Sequence, residues 1–243
     1  MCRHLAYAGP AIPPARLLFD PPHSLAHQSW APRDMRGGGT INADGFGVGW
    51  FPGPVRYRRA TPLWSDTTLP SLAASLTVTG MLAAVRSATE GMPVVETAAA
   101  PFGSGPWLFS HNGKVAGWPG SVAKLAAALP AIDLLTLEAP TDAALLWALV
   151  RDRLRSSSPA EAVAATVADV EAVAPGSRLN LLLTDGVTIV ATTVGHSLSV
   201  RRGDGVLVSS EPLDDSPQWR AVPDRHLLVA TAGDLVLTPL GAP

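Results

Sequence analysis

The distribution of short apolar segments constrains the fold of this chain most strongly. In the last third, β-branched or Leu-rich segments alternate with Asp-Gly, Gly-His and Gly-Asp turns, which predicts strands at 178–184, 187–194, 198–202, 205–209, 226–231 and 234–238. Thr184–Val187 and Arg202–Gly205 are typical of β-hairpin turns. We therefore expect a strand meander in this part of the chain.

Strands and helices also occur in blocks earlier in the chain. The apolar patterns predict strands at 2–9, 46–51, 81–86 and 107–110, and helices at 120–129, 142–155 and 159–173. Residues 10–40 are rich in Pro and Gly, with Pro13-Pro14, Pro21-Pro22 and Gly37-Gly38-Gly39, and we expect a long irregular segment there. Strands, then helices, then strands is an order typical of an α+β fold with sheets packed against helices.

The composition excludes several classes of function. Only 16% of the residues are charged and the formal net charge is -2, so the chain lacks the basic excess of a nucleic-acid-binding protein. We expect a cytoplasmic protein, because no apolar run approaches the ~20 residues of a membrane span and the N-terminus does not resemble a secretory signal. A single cysteine excludes an internal disulfide and a Cys-rich zinc site. Without a repeat or linker, residues 2–243 are expected to form one domain.

The position of the single cysteine, Cys2, indicates a chemical role. Removal of Met1 is expected because the next residue is small, and Cys2 would then carry both a thiol and a free α-amine. The α-amine, with a pKa near 7.7–8.0, can accept the proton of a thiol whose pKa is near 8.5, so nucleophile and base occupy one residue. The alternatives are a buried cysteine in the first strand and an inert terminal residue.

Further candidate residues follow predicted strands or begin a helix. Asn112 and Gly113 offer a side-chain amide and a backbone N–H for an oxyanion, although Asn-Gly is also a common turn. Arg86 could bind a carboxylate with Thr89 as an additional donor, and Asp142 could pair with an ammonium group. A surface ion pair for Arg86 and a helix N-terminal charge for Asp142 are the alternatives.

Taken together, these residues resemble the class II glutamine amidotransferase domains of the N-terminal nucleophile (Ntn) hydrolase superfamily. The matching elements occur in family order: Cys2, Asn42–Gly47, Val85–Thr89, Pro101-Phe102, His111–Gly113 and Thr141-Asp142. The resemblance implies a four-layer αββα sandwich. It also implies Cys2 as nucleophile with its amine as base, an oxyanion hole from Asn112 and Gly113, and binding of a γ-glutamyl group by Arg86, Thr89 and Asp142.

A more detailed pattern resembles the γ-glutamyl hydrolases of ergothioneine biosynthesis, which release glutamate and hercynylcysteine sulfoxide. The matching segments are Cys2–Tyr7, His23–Leu25, Gln28-Ser29, Asn42–Trp50 and Ser210–Asp214. The chain also differs from the wider family: Arg3 and His4 replace Gly and Ile, and Ala100 replaces a His, which favours a substrate other than plain glutamine.

The resemblance implies no metal and no organic cofactor. We expect a small-molecule γ-glutamyl substrate and a monomer or homodimer. A trimethylammonium group on the leaving side would favour aromatic and acidic neighbours, so we expect Tyr7, Trp30, Trp50 and Asp44 as wall residues, with His111 beside the substrate. A general γ-glutamyl amidase or glutaminase, with or without a separate synthase that takes the ammonia, is the alternative activity. A catalytically silent domain that binds γ-glutamyl compounds is an alternative of another class.

Several other signals favour structural roles. His23 and His27 have a metal-ligand spacing but no evident third ligand, and Gly45, Gly47 and Gly49 are followed by prolines rather than by the helix of a dinucleotide site. His196 and His226 have no companions and are expected to be structural.

Overall fold

The computed structural model describes residues 2–36 and 41–241. Two sequence predictions, the removal of Met1 and irregular backbone through Gly37-Gly38-Gly39, lie outside the described residues. None of the helices within the described residues has the length and apolar character that a membrane span requires.

Strands and helices alternate in blocks along the described residues. The strands are β1 (Arg3–Ile12), β2 (Phe46–Phe51), β3 (Val55–Arg59), β4 (Val78–Val85), β5 (Phe102–Ser104), β6 (Trp107–Lys114), β7 (Arg178–Thr184), β8 (Ile189–Thr193), β9 (Ser199–Arg202), β10 (Val206–Ser209), β11 (Trp219–Ala221), β12 (His226–Ala230) and β13 (Leu235–Pro239). The α-helices are α1 (Ala15–Leu18), α2 (Leu25–Gln28), α3 (Leu69–Ser75), α4 (Ala123–Ala127), α5 (Ala131–Leu135), α6 (Asp142–Arg153) and α7 (Pro159–Val173). Short 3-10 turns occupy Leu63–Ser65, Glu96–Ala98 and Gly120–Val122.

The strands form two antiparallel sheets. The order in the first sheet is β11-β9-β10-β1-β4-β2-β3, and the order in the second sheet is β13-β12-β8-β7-β6-β5. Strand β1 is therefore an interior strand, paired with β10 on one side and with β4 on the other. The start of β1 therefore lies between the end of β10 and the end of β4.

Successive side chains of each strand point to opposite faces of the sheet, and the packing of these two faces produces the layers. Leu5 and Tyr7 of β1 pack with Leu18 and Leu25 on the outer face of the first sheet, where α1, α2 and α3 lie. Ala6 and Ala8 point the other way and pack against the second sheet with Leu108 and Leu182.

The second sheet is covered on its other face by α6 and α7. Leu181 and Leu183 of β7 pack there with Leu146 and Val163 from the two helices. Helix, sheet, sheet and helix follow one another, so the predicted α+β class and the four-layer αββα sandwich are confirmed.

The two long helices begin where their capping residues predict. The Thr141 hydroxyl accepts a hydrogen bond from the backbone N–H of Ala144 at the start of α6. Ser158 and Glu161 form a reciprocal capping box at the start of α7, whose first residue is Pro159. The bounds predicted for α7 are confirmed, and α6 ends two residues earlier than predicted.

The interpretation of residues 10–40 as irregular was wrong in part. Strand β1 continues to Ile12, and this segment contains α1 and α2, each four residues long. Leu17, Leu18 and Leu25 are buried against the first sheet, and the Ser24 hydroxyl caps α2. Helices of one turn have too few residues to show a periodic pattern, so tertiary burial rather than local sequence determines them.

The expectation of a single C-terminal meander was also wrong. The hairpins β7–β8 and β9–β10 form at the two predicted turns. However, β9, β10 and β11 cross to the first sheet, and β12 and β13 return to the second. Hairpin signals specify local pairing, but they carry no information about which sheet receives the hairpin.

Candidate active site

Strand ends from both sheets meet around Cys2. Because β1 and β4 are antiparallel, the start of β1 lies beside the end of β4, with Arg3 opposite Val85. The segment after β4, the end of β6 and the start of α6 complete one cavity around the thiol. Its lining includes six of the predicted residues: Cys2, Arg86, Thr89, His111, Gly113 and Asp142.

Cys2 is half-buried and its position is set by the residue that follows it. The Sγ atom lies 3.8 Å from the carbonyl oxygen of Ser87. The Arg3 guanidinium donates from Nη1 to the Cys2 carbonyl oxygen at 3.0 Å. Arg3 thus anchors the backbone of the residue that carries the thiol.

Arg3 is in turn held by a buried ion pair. Its Nε lies 2.8 Å from Oε1 of Glu211, and both side chains are only 3% exposed. Glu211 also accepts the backbone N–H groups of Arg33 at 2.7 Å and Asp34 at 3.2 Å. No role was predicted for Arg3 or Glu211 from the sequence, because the two residues lie about two hundred positions apart in the chain.

The cavity contains two buried charges of opposite sign. Arg86 is 8% exposed and donates to the carbonyl oxygen of Pro93 at 2.8 Å. Asp142 is 6% exposed and accepts the N–H of Val115 at 3.1 Å. Within the described residues, neither forms an ion pair, although charges are rarely buried without one. One buried cation and one buried anion make the cavity complementary to the carboxylate and ammonium of an amino acid.

These contacts bear on the alternatives that the sequence left open for the two charges. A surface ion pair for Arg86 was the wrong alternative, because the side chain is buried and no carboxylate pairs with it in the part of the chain described. Asp142 does begin α6 and accepts the N–H of Ala143 at 2.8 Å, but it also accepts the N–H of Val115, the residue after β6, and lines the cavity.

Asp44 supports the cavity from outside. Its Oδ2 accepts the N–H of Ala88 at 2.8 Å, and its own N–H donates to the carbonyl oxygen of Arg86 at 2.9 Å. These bonds fix the segment that carries Arg86 and Thr89. Asp44 does not line the cavity around Cys2, so the structure places it behind the wall and not in it.

Asn112 and Gly113 lie in the last part of β6 and pair with β7, so the turn alternative was wrong. The Asn112 side chain is buried and is not among the residues that line the cavity around Cys2. Its Nδ2 donates to Oγ of Ser210 at 3.3 Å. A Cβ atom at Gly113 would lie 1.9 Å from the carbonyl oxygen of Arg178, so only glycine fits this position.

His111 lines the cavity and also holds the backbone beside it. Its Nε2 lies 2.9 Å from the carbonyl oxygen of Arg178, at the start of β7. This contact ties β6 to the start of β7, and His111 still lines the cavity as expected for a residue beside the substrate.

His4 is a buried histidine that sequence reasoning left without a role. Its Nδ1 lies 2.9 Å from Oγ of Ser110. Burial, together with the nearby His111, His196 and Arg3, lowers the pKa of His4 from 6.5 to about 3. The ring is therefore neutral at pH 7.

The predicted aromatic wall residues do not come together at Cys2. Tyr7 and Trp50 pack on the outer face of the first sheet, and the Tyr7 hydroxyl donates to the carbonyl oxygen of Pro10 at 2.7 Å. Trp30 is 51% exposed, and its ring packs edge-to-face against His27. Strand alternation explains the first two, because their side chains leave the sheet on the face opposite His4 and the second sheet.

His23 and His27 lie with their rings edge-to-face, 5.3 Å apart. No group of three His, Cys, Asp or Glu side chains within residues 2–36 and 41–241 is arranged to hold a metal ion.

The model of the family described as glutamine amidotransferases class-II matches residues 18–204. The chain belongs to this family. At the level of individual proteins, it is 43% identical to the gamma-glutamyl-hercynylcysteine sulfoxide hydrolase of Mycobacterium tuberculosis (strain CDC 1551 / Oshkosh), over 99% of this chain and 97% of that protein. It is also 43% identical to the protein of the same name from Mycolicibacterium smegmatis, over 99% of this chain and all of that protein.

Solved structures share the fold. A glutamine aminotransferase class-II domain protein from Silicibacter pomeroyi superimposes with a TM-score of 0.72 at 24% identity, covering 99% of this chain and all of that one. The glutamine phosphoribosylpyrophosphate amidotransferase of B. subtilis superimposes with a TM-score of 0.71 at 14% identity, covering all of this chain and half of that one.

Proposed function

We propose that this chain hydrolyses γ-glutamyl-hercynylcysteine sulfoxide to glutamate and hercynylcysteine sulfoxide, through a thioester on Cys2. The observation that carries the proposal is the pair of buried charges, Arg86 and Asp142, which have no ion-pair partner among the described residues and lie in the cavity that contains the Cys2 thiol. The names of the relatives that match this chain over nearly its whole length support the same substrate.

Binding of the glutamyl half follows from the charges. The α-carboxylate of the γ-glutamyl group pairs with the Arg86 guanidinium, and its α-ammonium pairs with the Asp142 carboxylate. Thr89 provides a further polar contact on the same wall. A charge-assisted hydrogen bond contributes about 1.5–3 kcal/mol, so each pairing is worth about 10- to 100-fold in affinity.

The chemistry takes place at Cys2. In the proposed mature domain, residues 2–243, the free α-amine of Cys2 takes the thiol proton, and Sγ forms a bond to the amide carbon. The Asn112 side-chain amide and the Gly113 N–H stabilise the oxyanion. The C–N bond then breaks, and the amine leaves with a proton from the Cys2 α-ammonium.

Water completes the reaction. The Cys2 amine removes a proton from water, the hydroxide adds to the γ-glutamyl thioester carbon, and the C–S bond breaks to give glutamate and the free thiol. No oxidant, reductant or metal takes part in this balance of atoms and protons.

Product analysis of the wild-type chain and of Cys2→Ala, together with labelling of the wild type by an electrophile, tests the proposal. We expect the wild-type chain to release glutamate and hercynylcysteine sulfoxide in equal amounts, Cys2→Ala to release neither, and the wild-type intact mass to lack Met1. 6-Diazo-5-oxonorleucine should label Cys2. An active Cys2→Ala variant would contradict the mechanism. Ammonia from glutamine at an equal or higher kcat/KM would instead support the glutaminase alternative.

The charge assignment is tested separately. Arg86→Met and Asp142→Asn should each lower kcat/KM about 10- to 100-fold, chiefly through KM, since they remove contacts to the unreactive end of the substrate. Asp152→Asn, near the exposed end of the same helix α6, is the matched control and should leave kcat/KM unchanged. An unchanged KM in both cavity variants would refute the assignment.

A further inference from the structure

A polar layer lies between the two sheets and begins two residues after Cys2. Farther along the strands, the facing side chains are apolar, with Ala6 of β1 packed in one cluster with Leu108 of β6. At the Cys2 end of the same strands, the facing residues are instead His4 on β1 and Ser110 on β6. These two residues are 0% and 1% exposed. Polar groups buried this deeply require hydrogen-bond partners.

Hydrogen bonds join the polar side chains of this layer into a closed network. His4 Nδ1 lies 2.9 Å from Ser110 Oγ, across the gap between the sheets. Two residues farther along β6, Asn112 Nδ2 donates to Ser210 Oγ at 3.3 Å. Ser210 Oγ also accepts the backbone N–H of His4 at 3.0 Å, which closes the network on β1. The network therefore ties β1, β6 and the residue after β10 to one another.

We propose that His4 and Ser110 are positioning residues, which hold the oxyanion donors of β6 at a fixed distance from the nucleophile on β1. The inference rests on the proposed function, in which Asn112 and Gly113 stabilise the oxyanion. His4 lies two residues after Cys2, and Ser110 lies two residues before Asn112. The hydrogen bond between His4 and Ser110 therefore joins the two strands close to the reacting groups.

Backbone pairing does not fix the distance between these two strands. Strand β1 pairs with β4 and β10 in the first sheet, whereas β6 pairs with β5 and β7 in the second. The two strands thus face each other across the packed interface of the sheets, where side-chain contacts set their separation. An oxyanion donor acts only at hydrogen-bond distance from the reacting atom, so a small change in this separation lowers the rate.

Ser210 orients the amide of Asn112 within the network. A side-chain amide carries two N–H protons, and Ser210 Oγ accepts one of them, which leaves the second for the oxyanion. Ser210 is itself held by the backbone of His4, because its N–H donates to the His4 carbonyl oxygen at 2.9 Å. A shift of His4 therefore reaches Asn112 by two routes, through Ser110 and through Ser210.

Amide hydrolysis compared with thiol alkylation tests the positioning role. We expect His4→Leu and Ser110→Ala each to lower kcat for γ-glutamyl-hercynylcysteine sulfoxide about 10-fold. KM should change by less than about 2-fold, because Arg86 and Asp142 keep their contacts to the glutamyl group. Alkylation of Cys2 by iodoacetamide forms no oxyanion and should keep its rate.

Three further variants separate positioning from a general loss of stability. His4→Asn places an amide atom near the position of Nδ1 and should keep most of the wild-type kcat. The double variant His4→Leu, Ser110→Ala should lose no more than either single variant, since each single change already breaks the hydrogen bond. Thr166→Val is the matched control, because it removes another buried hydroxyl, on α7, and should leave kcat unchanged.

The inference is overturned if both single variants keep the wild-type kcat, if alkylation slows as much as hydrolysis, or if the two losses multiply in the double variant. Ser110→Ala is a small deletion, so it provides the result if His4→Leu fails to fold. A wild type that cleaves no γ-glutamyl amide would overturn the proposed function instead. Hydrogen exchange of the Asn112 side-chain amide, followed by NMR, would then still decide whether the network holds Asn112. The exchange should be faster in Ser110→Ala than in the wild type and unchanged in Thr166→Val, and equal exchange in all three would overturn the inference.

Discussion

The buried ion pair between Arg3 and Glu211 permits a quantitative prediction. Both side chains are 3% exposed, so Glu211→Ala leaves the Arg3 guanidinium buried without its counter-charge. Breaking a buried pair from one side costs about 3–5 kcal/mol, because the remaining charge is not resolvated. For a chain of this size, 1 kcal/mol corresponds to about 2–4 °C in Tm, so we expect Tm to fall by roughly 6–20 °C.

Removing both charges should cost much less than removing one. An Arg3→Met, Glu211→Met double variant replaces the pair with apolar side chains, and such replacements are often neutral or stabilising. The double variant should therefore recover most of the lost stability. It should not recover activity, because the hydrogen bond from Arg3 to the Cys2 carbonyl oxygen is lost with the guanidinium.

Urea unfolding of the single and double variants, followed by tryptophan fluorescence and calorimetry, provides the measurement. The control is Asp215→Ala, which breaks the ion pair of Arg33 with Asp215, whose side chains are 50% and 78% exposed, and should cost no more than about 1 kcal/mol. If Glu211→Ala cost as little as this control, water would reach Arg3 and the argument from burial would be refuted.

Three further predictions concern the residues around Cys2. Ser210→Ala should lower kcat for the amide about 10-fold while the rate of thiol alkylation by iodoacetamide stays the same, because alkylation forms no oxyanion; equal losses in both rates would contradict a positioning role. Gly113→Ala should lower the urea midpoint strongly, because its Cβ meets the Arg178 carbonyl oxygen, whereas Gly120→Ala has open space and should not. Burial lowers the pKa of His4 to about 3, while the unfolded chain titrates near 6.5. The unfolded state therefore binds more protons than the folded state below pH 6.5. By pH 5 the titration of His4 should have lowered the free energy of unfolding by about 2 kcal/mol. The variant His4→Asn should show a smaller loss of unfolding free energy between pH 7 and pH 5.

Local signals in the sequence predicted the elements that local interactions determine. Helix α7 begins at Pro159 after a capping serine and ends before Pro175-Gly176, and all its determinants lie within its own segment. The β7–β8 hairpin follows from the Asp-Gly turn in the same way. By contrast, the helices α1 and α2 depend on burial against a sheet that the rest of the chain provides.

The same distinction between local and tertiary determinants applies to the residues of the candidate site. The residue types of Cys2, Arg86 and Asp142 indicated their chemistry, and the structure brings them to one cavity. The aromatic residues failed as candidates because nearness along the chain to a candidate segment does not specify the face of a strand. Tyr7 lies five residues after Cys2 but on the other face of β1.

The position of β1 in the sheet explains why the contacts around Cys2 could not be predicted from the sequence. An edge strand would have one neighbour, and its first residue would be held on one side only. Since β1 is interior, β4 brings Arg86 and Ser87 to one side of Cys2, and β10 brings Ser210 and Glu211 to the other. The backbone around Cys2 is therefore held from both sides, through contacts between segments that lie far apart along the chain.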